Sequence, residues 1–159
     1  GQVQVLVVCG RNERVRQELC AKSWHGVHVI VKGFVKPMSE YMGAADAIIT
    51  KAGPGTVMEA AAQGLPVMLS GYLPPQEAGN VDCVVNGGFG AYSRKPAVIA
   101  RTVSQWLANP TLLTQMSAKA KQAARPQAVY AIAQDICNML PPASGDRRQD
   151  APSPARIVS

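Results

Sequence analysis

The chain has 159 residues, a net charge of +6, 47% apolar residues and only 5% aromatic residues. This length allows one domain with its own hydrophobic core, and no apolar run reaches the roughly eighteen residues of a membrane-spanning helix. The scarcity of aromatic side chains argues against a surface that stacks nucleic-acid bases, so no nucleic-acid partner is expected.

Short apolar segments alternate with helix-forming segments in the first part of the chain. Most of the apolar segments are rich in valine and isoleucine without clean alternation, which is typical of strands buried on both faces. Strands are predicted at residues 4–8, 27–32, 47–50, 66–70 and 90–92, with helices at 13–22, 39–45, 57–63 and 81–86. The pattern predicts an α/β fold, with a Rossmann-like parallel sheet flanked by helices.

Three helices in series are predicted after the last strand. Ser93 is predicted to cap the first, which has Pro96 in its opening turn. Asn109-Pro110 begins the second, Arg125-Pro126 ends it, and the third covers residues 127–140. The domain therefore extends over residues 1–140, and the tail at 141–159, rich in proline, serine and charge, is predicted to be disordered.

The cysteines show no pattern that is typical of a metal site or of a disulfide framework. The four cysteines form no C-x-x-C pair, so neither is expected.

The segment between residues 83 and 134 contains basic residues and no acidic one. The basic residues are Arg94, Lys95, Arg101, Lys119, Lys121 and Arg125. Such a surface attracts anionic membrane lipids, at about 1 kcal/mol per basic residue. A solvated basic helix face is the alternative interpretation.

A glycine-rich turn follows the third predicted strand, in the string Lys-Ala-Gly-Pro-Gly-Thr at 51–56. Gly53 and Gly55 leave the backbone bare, so that a ligand can approach its N–H groups. The helix that begins there offers unpaired donors and a partial positive charge, which suit a phosphate. Glu59, one turn further on, could accept hydrogen bonds from a sugar hydroxyl. The alternative is a capping box in which Thr56 and Glu59 only satisfy helix-end amides.

Three other strings stand in a specific order around this turn. They are Cys-Gly-Arg-Asn at 9–12, Gly-Phe-Val-Lys-Pro-Met at 33–38 and Pro-Pro-Gln-Glu-Ala-Gly-Asn at 74–80. In this order and spacing, residues 3–140 resemble the nucleotide-sugar-binding C-terminal half of the family 28 glycosyltransferases, which have the GT-B fold. Within that family, the strings are most similar to those of the members that form galactolipids in plastids.

The resemblance implies a UDP-sugar site at the carboxyl ends of the strands. The main chain of Val35 would pair with the uracil, beside Phe34 and Met38. Gly55 and Thr56, in the turn that includes Gly53, would contact the diphosphate. The ribose hydroxyls would be held by Glu59, the sugar would be faced by Gln76, Glu77 and Asn80, and Arg11 is a candidate phosphate partner.

Several of these residues, and Lys51 before the glycine turn, also have an ordinary structural interpretation. Phe34 and Met38 would be core side chains, and Asn80 would be the N-cap of the following helix. Gln76 and Glu77 would be solvated loop residues. The amine of Lys51 would simply reach solvent from the strand end.

The reaction implied is the transfer of galactose from UDP-galactose to diacylglycerol, with inversion at the anomeric carbon. No catalytic residue is assigned, because the base is expected in an N-terminal acceptor domain of the same enzyme.

The family also has a strand and a glycine-rich loop before the Cys-Gly-Arg-Asn string, so the chain is expected to be a fragment that is inactive alone. No cofactor and no metal are expected, and the location implied is peripheral, on the chloroplast envelope or the thylakoid membrane. The alternative is the donor-binding subunit of another lipid-linked UDP-sugar transferase, of N-acetylglucosaminyl type, that acts only with a partner chain.

Overall fold

The computed structural model describes residues 3–125 and 127–140, and the chain divides after Ala124 into two compact units. The first unit contains β1 (Gln4–Val8), α1 (Glu13–Cys20), β2 (His28–Lys32), α2 (Met38–Gly43), β3 (Ile48–Lys51), α3 (Pro54–Ala62), β4 (Val67–Gly71), α4 (Ala78–Asn86), β5 (Gly90–Tyr92), α5 (Pro96–Leu107) and α6 (Pro110–Ala123). In the second unit, the described residues form α7 (Ala128–Met139). The predicted alternation of strands and helices is confirmed. The tail predicted to be disordered lies outside the described residues.

In residues 3–125 and 127–140, all strand pairs are parallel, but the five strands form two sheets instead of the one that the sequence predicted. β1 pairs with β2, while β3, β4 and β5 pair in that order. Within the described residues, no ladder joins β1 or β2 to the three-stranded sheet. Apolar strand residues next to these unjoined edges are partly open to solvent, and Ile49 of β3 is 53% exposed.

The core of the first unit is built on both faces of β4. Val67 and Leu69 pack in one cluster with Val57 of α3 and Val84 of α4. Met68, between them in the strand, packs with Trp106 of α5 and Met116 of α6. Successive side chains of a strand point to opposite faces, so β4 is covered on both sides, as the apolar run at its start predicted.

Two helices near the predicted site begin earlier than the sequence indicated. α3 begins at Pro54, with Gly53 as its N-cap, because a proline is favourable in the first helical position, where no N–H is needed. Thr56 is therefore the third helical residue, no side chain caps this helix, and the capping-box interpretation is wrong. α4 begins at Ala78, so the interpretation of Asn80 as an N-cap is wrong as well.

The caps of the later helices agree in part with the sequence. Asn109 is the N-cap of α6, and its side-chain oxygen accepts a hydrogen bond from the N–H of Leu112 at 3.0 Å. The N-cap of α5 is Lys95, not Ser93, whose hydroxyl instead accepts from the N–H of Lys95 at 3.1 Å before the helix begins. No helix within the described ranges is long and apolar enough to cross a membrane.

Candidate functional site

The carboxyl ends of β3 and β4 lie side by side. The N–H of Ala52, which follows β3, donates to the carbonyl of Gly71 at the end of β4, at 2.8 Å. The loops that follow these two strands therefore leave the same edge of a parallel sheet, the position where open α/β sheets bind ligands. The glycine turn and the Pro-Pro-Gln-Glu loop begin at this edge.

The first turn of α3 presents free backbone donors. In the part of the chain that the structure describes, no acceptor is hydrogen-bonded to the N–H of Gly55 or Thr56. The next N–H, that of Val57, is used by the carbonyl of Gly53 at 3.0 Å. A side chain at Gly55 would meet no atom within 4 Å, so the space beside these donors is open. The two residues predicted to bind a diphosphate thus have free donors and room for a ligand.

Glu59 lies one turn further along the same helix, and its side chain is exposed. The residues of α3 that face the core are Val57, Ala60 and Ala61. The carboxylate of Glu59 is therefore neither buried nor used as a cap, and it is available to a ligand.

Glu77 fastens the Pro-Pro-Gln-Glu loop to the end of β3. Its Oε1 forms an ion pair with Nζ of Lys51 at 2.5 Å, and its Oε2 accepts from the N–H of Leu73 at 2.9 Å. The hydrogen bond from Lys51, followed by that from Leu73, holds the pKa of Glu77 below its ordinary value. Only 6% of Glu77 is exposed, so this acid is a buried, ionised anchor instead of a solvated loop residue.

A second tie in the same region comes from Asn80. Its side-chain Nδ2 donates to the carbonyl of Ala52 at 2.8 Å, which joins α4 to the segment between β3 and α3. Gln76, by contrast, is exposed. The structure thus brings Gly53, Gly55, Thr56, Glu77 and Asn80 to the carboxyl ends of β3 and β4, and Gln76, next to Glu77 in the chain, is exposed.

Lys51 is the site residue that the sequence interpretation missed. Its interpretation as a lysine that simply reaches solvent from the strand end is incomplete, because its largely exposed side chain also pairs with a buried acid that is 26 residues away in sequence. Its position at the carboxyl end of a parallel strand, opposite a loop with an acidic residue, is the signal that could have identified it.

The segment predicted to bind uracil follows β2. Phe34 is 60% exposed, so its interpretation as a core residue is wrong, and the guanidinium of Arg11 lies 5.5 Å from the centre of its ring. Lys36 lies on the same ring at 5.8 Å. Among the described residues, no backbone hydrogen bond involves Val35, so its N–H and C=O are free for a base. Met38 instead packs against the core cluster that contains Val57 of α3, which confirms its structural interpretation.

Comparison with known proteins identifies the class. The glycosyltransferase family 28 C-terminal domain matches residues 1–132, and the chain belongs to this family. The solved structure of MurG from Acinetobacter baumannii is 26% identical, with a TM-score of 0.74 over 87% of this chain and 42% of that one. The predicted fold class, the C-terminal half of a GT-B glycosyltransferase, is confirmed.

The individual relatives narrow the resemblance further. A probable monogalactosyldiacylglycerol synthase, chloroplastic, of Glycine max is 49% identical over 86% of this chain and 26% of that protein. The monogalactosyldiacylglycerol synthase, chloroplastic, of Spinacia oleracea is 48% identical over the same shares. These names confirm the predicted resemblance to galactolipid-forming members. The chain spans about a quarter of the length of these relatives.

Proposed function

We propose that this chain is the donor-binding part of an inverting galactosyltransferase that transfers galactose from UDP-galactose to diacylglycerol. The observation that carries the proposal is the pair of free N–H groups at Gly55 and Thr56. They lie at the carboxyl ends of the parallel strands, where α/β proteins bind ligands. The names of the relatives support galactose as the sugar and diacylglycerol as the acceptor.

Each part of the donor has its own partners in the proposed complex. The main chain of Val35 pairs with uracil beside the exposed ring of Phe34. The Gly53–Thr56 turn holds the diphosphate, whose negative charge the N-terminus of α3 favours. Glu59 accepts hydrogen bonds from the ribose, and Gln76 and Asn80 face the galactose from the segment that Glu77 anchors.

The same donors support the chemical step. When the bond between galactose and UDP breaks, negative charge develops on the diphosphate, and preorganised N–H groups stabilise that charge without rearranging. The base that activates the diacylglycerol hydroxyl belongs, in this proposal, to a further N-terminal domain, which also holds the acceptor. The donor is a substrate, and the proposal gives no cofactor or metal a role.

The proposed location is peripheral, on the chloroplast envelope or the thylakoid membrane. Its support is the word chloroplastic in the names of the relatives, together with the exposure of the basic residues of the first unit. These residues are Arg94, Lys95, Arg101, Lys119 and Lys121. Anionic lipid head groups are the partners that this charge favours.

Titration calorimetry with UDP, UDP-galactose and UDP-N-acetylglucosamine tests the proposal. The chain is expected to bind UDP in the millimolar range, about −4 kcal/mol, and to bind UDP-galactose more tightly than UDP-N-acetylglucosamine. Preference for UDP-N-acetylglucosamine would favour the N-acetylglucosaminyl alternative. A chain that is folded by circular dichroism but binds none of the three nucleotides would refute the donor site.

A further inference from the structure

The ion pair between Lys51 and Glu77 joins the two segments that the donor site requires. Lys51 is the last residue of β3, two residues before Gly53, and Glu77 follows Gln76 in the loop after β4. The side chain of Glu77 is 8% exposed and that of Lys51 is 59% exposed. The buried acid is therefore held by a cation whose own side chain is largely open to solvent.

The loss of this cation would affect the loop more than the fold. Both oxygens of Glu77 are engaged, one by Lys51 and one by the N–H of Leu73. Without Lys51, a carboxylate that is almost fully buried would keep a single partner, and a buried charge in that state is unfavourable. The bond from Asn80 to Ala52 would still hold α4 in place. The loop from Leu73 to Glu77 would then be free to shift, and Gln76 with it.

The glycine turn is shaped around this ion pair. A Cβ atom at Gly53 would lie 3.0 Å from Nζ of Lys51 and 3.9 Å from Oε1 of Glu77. Gly53 thus leaves the space through which the lysine reaches the glutamate. The three atoms nearest to such a Cβ all belong to the side chains of Lys51 and Glu77, so an alanine there would press on the ion pair.

We propose that Lys51 is a positioning residue for the sugar: through its ion pair with the buried Glu77, it fixes the loop after β4 so that the exposed Gln76 recognises the hexose of a nucleoside diphosphate sugar. The inference rests on the proposed function, because it concerns the same site. It differs from a role in diphosphate binding, since the effect reaches the ligand through the loop that follows β4. It also differs from a purely structural role, since only the sugar should sense the loss.

The test compares the affinity for UDP with that for UDP-galactose. Calorimetry gives the ratio of the two dissociation constants for the wild-type chain and for Lys51→Met, Lys51→Arg and Lys32→Met. Lys32 is a matched control, because it is also an exposed lysine at the end of a parallel strand. Lys51→Met is expected to bring the ratio to about one, with UDP affinity within roughly twofold of wild type. Lys51→Arg and Lys32→Met are expected to keep the wild-type ratio.

Two outcomes would overturn the inference while leaving the proposed function intact. One is a Lys51→Met chain that keeps the wild-type ratio. The other is a chain that loses UDP and UDP-galactose affinity by the same factor, which would indicate a diphosphate contact or a structural role. If Lys51→Met fails to fold, Glu77→Gln removes the charge of the other partner of the ion pair, with the same expected ratio. A wild-type chain that binds no UDP-galactose would refute the proposed function itself, and this inference with it.

Discussion

Replacement of Gly55 by alanine should separate folding from ligand binding. Gly55 is the second residue of α3, its φ is not positive, and a Cβ there meets no atom within 4 Å. A glycine replaced by alanine at such a compatible position stabilises the fold by about 0.4–1 kcal/mol, chiefly because the unfolded chain loses freedom. For a domain of this size, the melting temperature should rise by roughly 1–5 °C.

The same methyl group should weaken ligand binding. It would stand beside the free N–H groups of Gly55 and Thr56, in the space that a diphosphate must enter. Loss of one hydrogen bond to a charged group costs about 1.5–3 kcal/mol, which is roughly a 10- to 150-fold increase in the dissociation constant for UDP.

Calorimetry with UDP and thermal unfolding by circular dichroism measure the two effects of Gly55→Ala. Gly79→Ala is the matched control, because Gly79 is also the second residue of its helix and also has no atom within 4 Å of an added Cβ. It should gain similar stability and bind UDP normally. If Gly55→Ala is stabilised and still binds UDP with unchanged affinity, the diphosphate does not lie on this turn, and the reasoning is refuted.

Four further predictions concern the same site. Glu59→Ala should weaken UDP binding by about 1.5–3 kcal/mol with little change in melting temperature. Glu18→Ala, on the exposed surface of α1, is the control, and unchanged UDP affinity in Glu59→Ala would exclude the ribose contact. In the complete enzyme, Gln76→Ala should lower turnover with UDP-galactose and leave UDP affinity nearly intact; an equal loss of UDP binding would mean that the loop is only structural. Because the pKa of Glu77 is lowered in the folded state, its stabilising contribution should be present above about pH 4.3, the ordinary value, and should be lost as the pH falls through the lowered pKa. Wild type and Glu77→Gln should therefore approach one another in stability below that pH, and a constant difference in urea unfolding would contradict this. The 159-residue chain alone should make no galactolipid from labelled UDP-galactose and diacylglycerol in anionic micelles. In the proposed mechanism, the reacting groups cannot be assembled without an acceptor domain. Labelled galactolipid would show that no further domain is needed.

The sequence was informative where the signal is local. The three apolar residues that begin β4 predicted a strand covered on both faces, and the alternation of Met68 with Val67 and Leu69 between two clusters confirms it. Asn109 before Pro110 predicted the start of α6 correctly, because a cap and a first-turn proline act within a few residues.

Features set by distant contacts could not be read from the sequence. The partner of Lys51 lies 26 residues away and is selected by the pairing of β3 with β4. Asparagine is a residue type that often caps helices, yet α4 begins before Asn80. Its side-chain amide instead donates a hydrogen bond to the carbonyl of Ala52. In both cases the tertiary contact decides the role of a side chain whose local preference is different.

The division of the strands into two sheets has a consequence for assembly. β1 and β3 each have a backbone edge that carries no ladder among the described strands, and such edges act as templates for an added extended segment. A parallel strand paired with both would give the order β2, β1, added strand, β3, β4, β5. If the added strand is counted as strand 1 and β1 to β5 as strands 2 to 6, this is the 3-2-1-4-5-6 order of doubly wound folds. One extended segment, supplied by the polypeptide or by another chain, would thus convert two small sheets into a single six-stranded one and cover apolar edge residues such as Leu6 and Ile49.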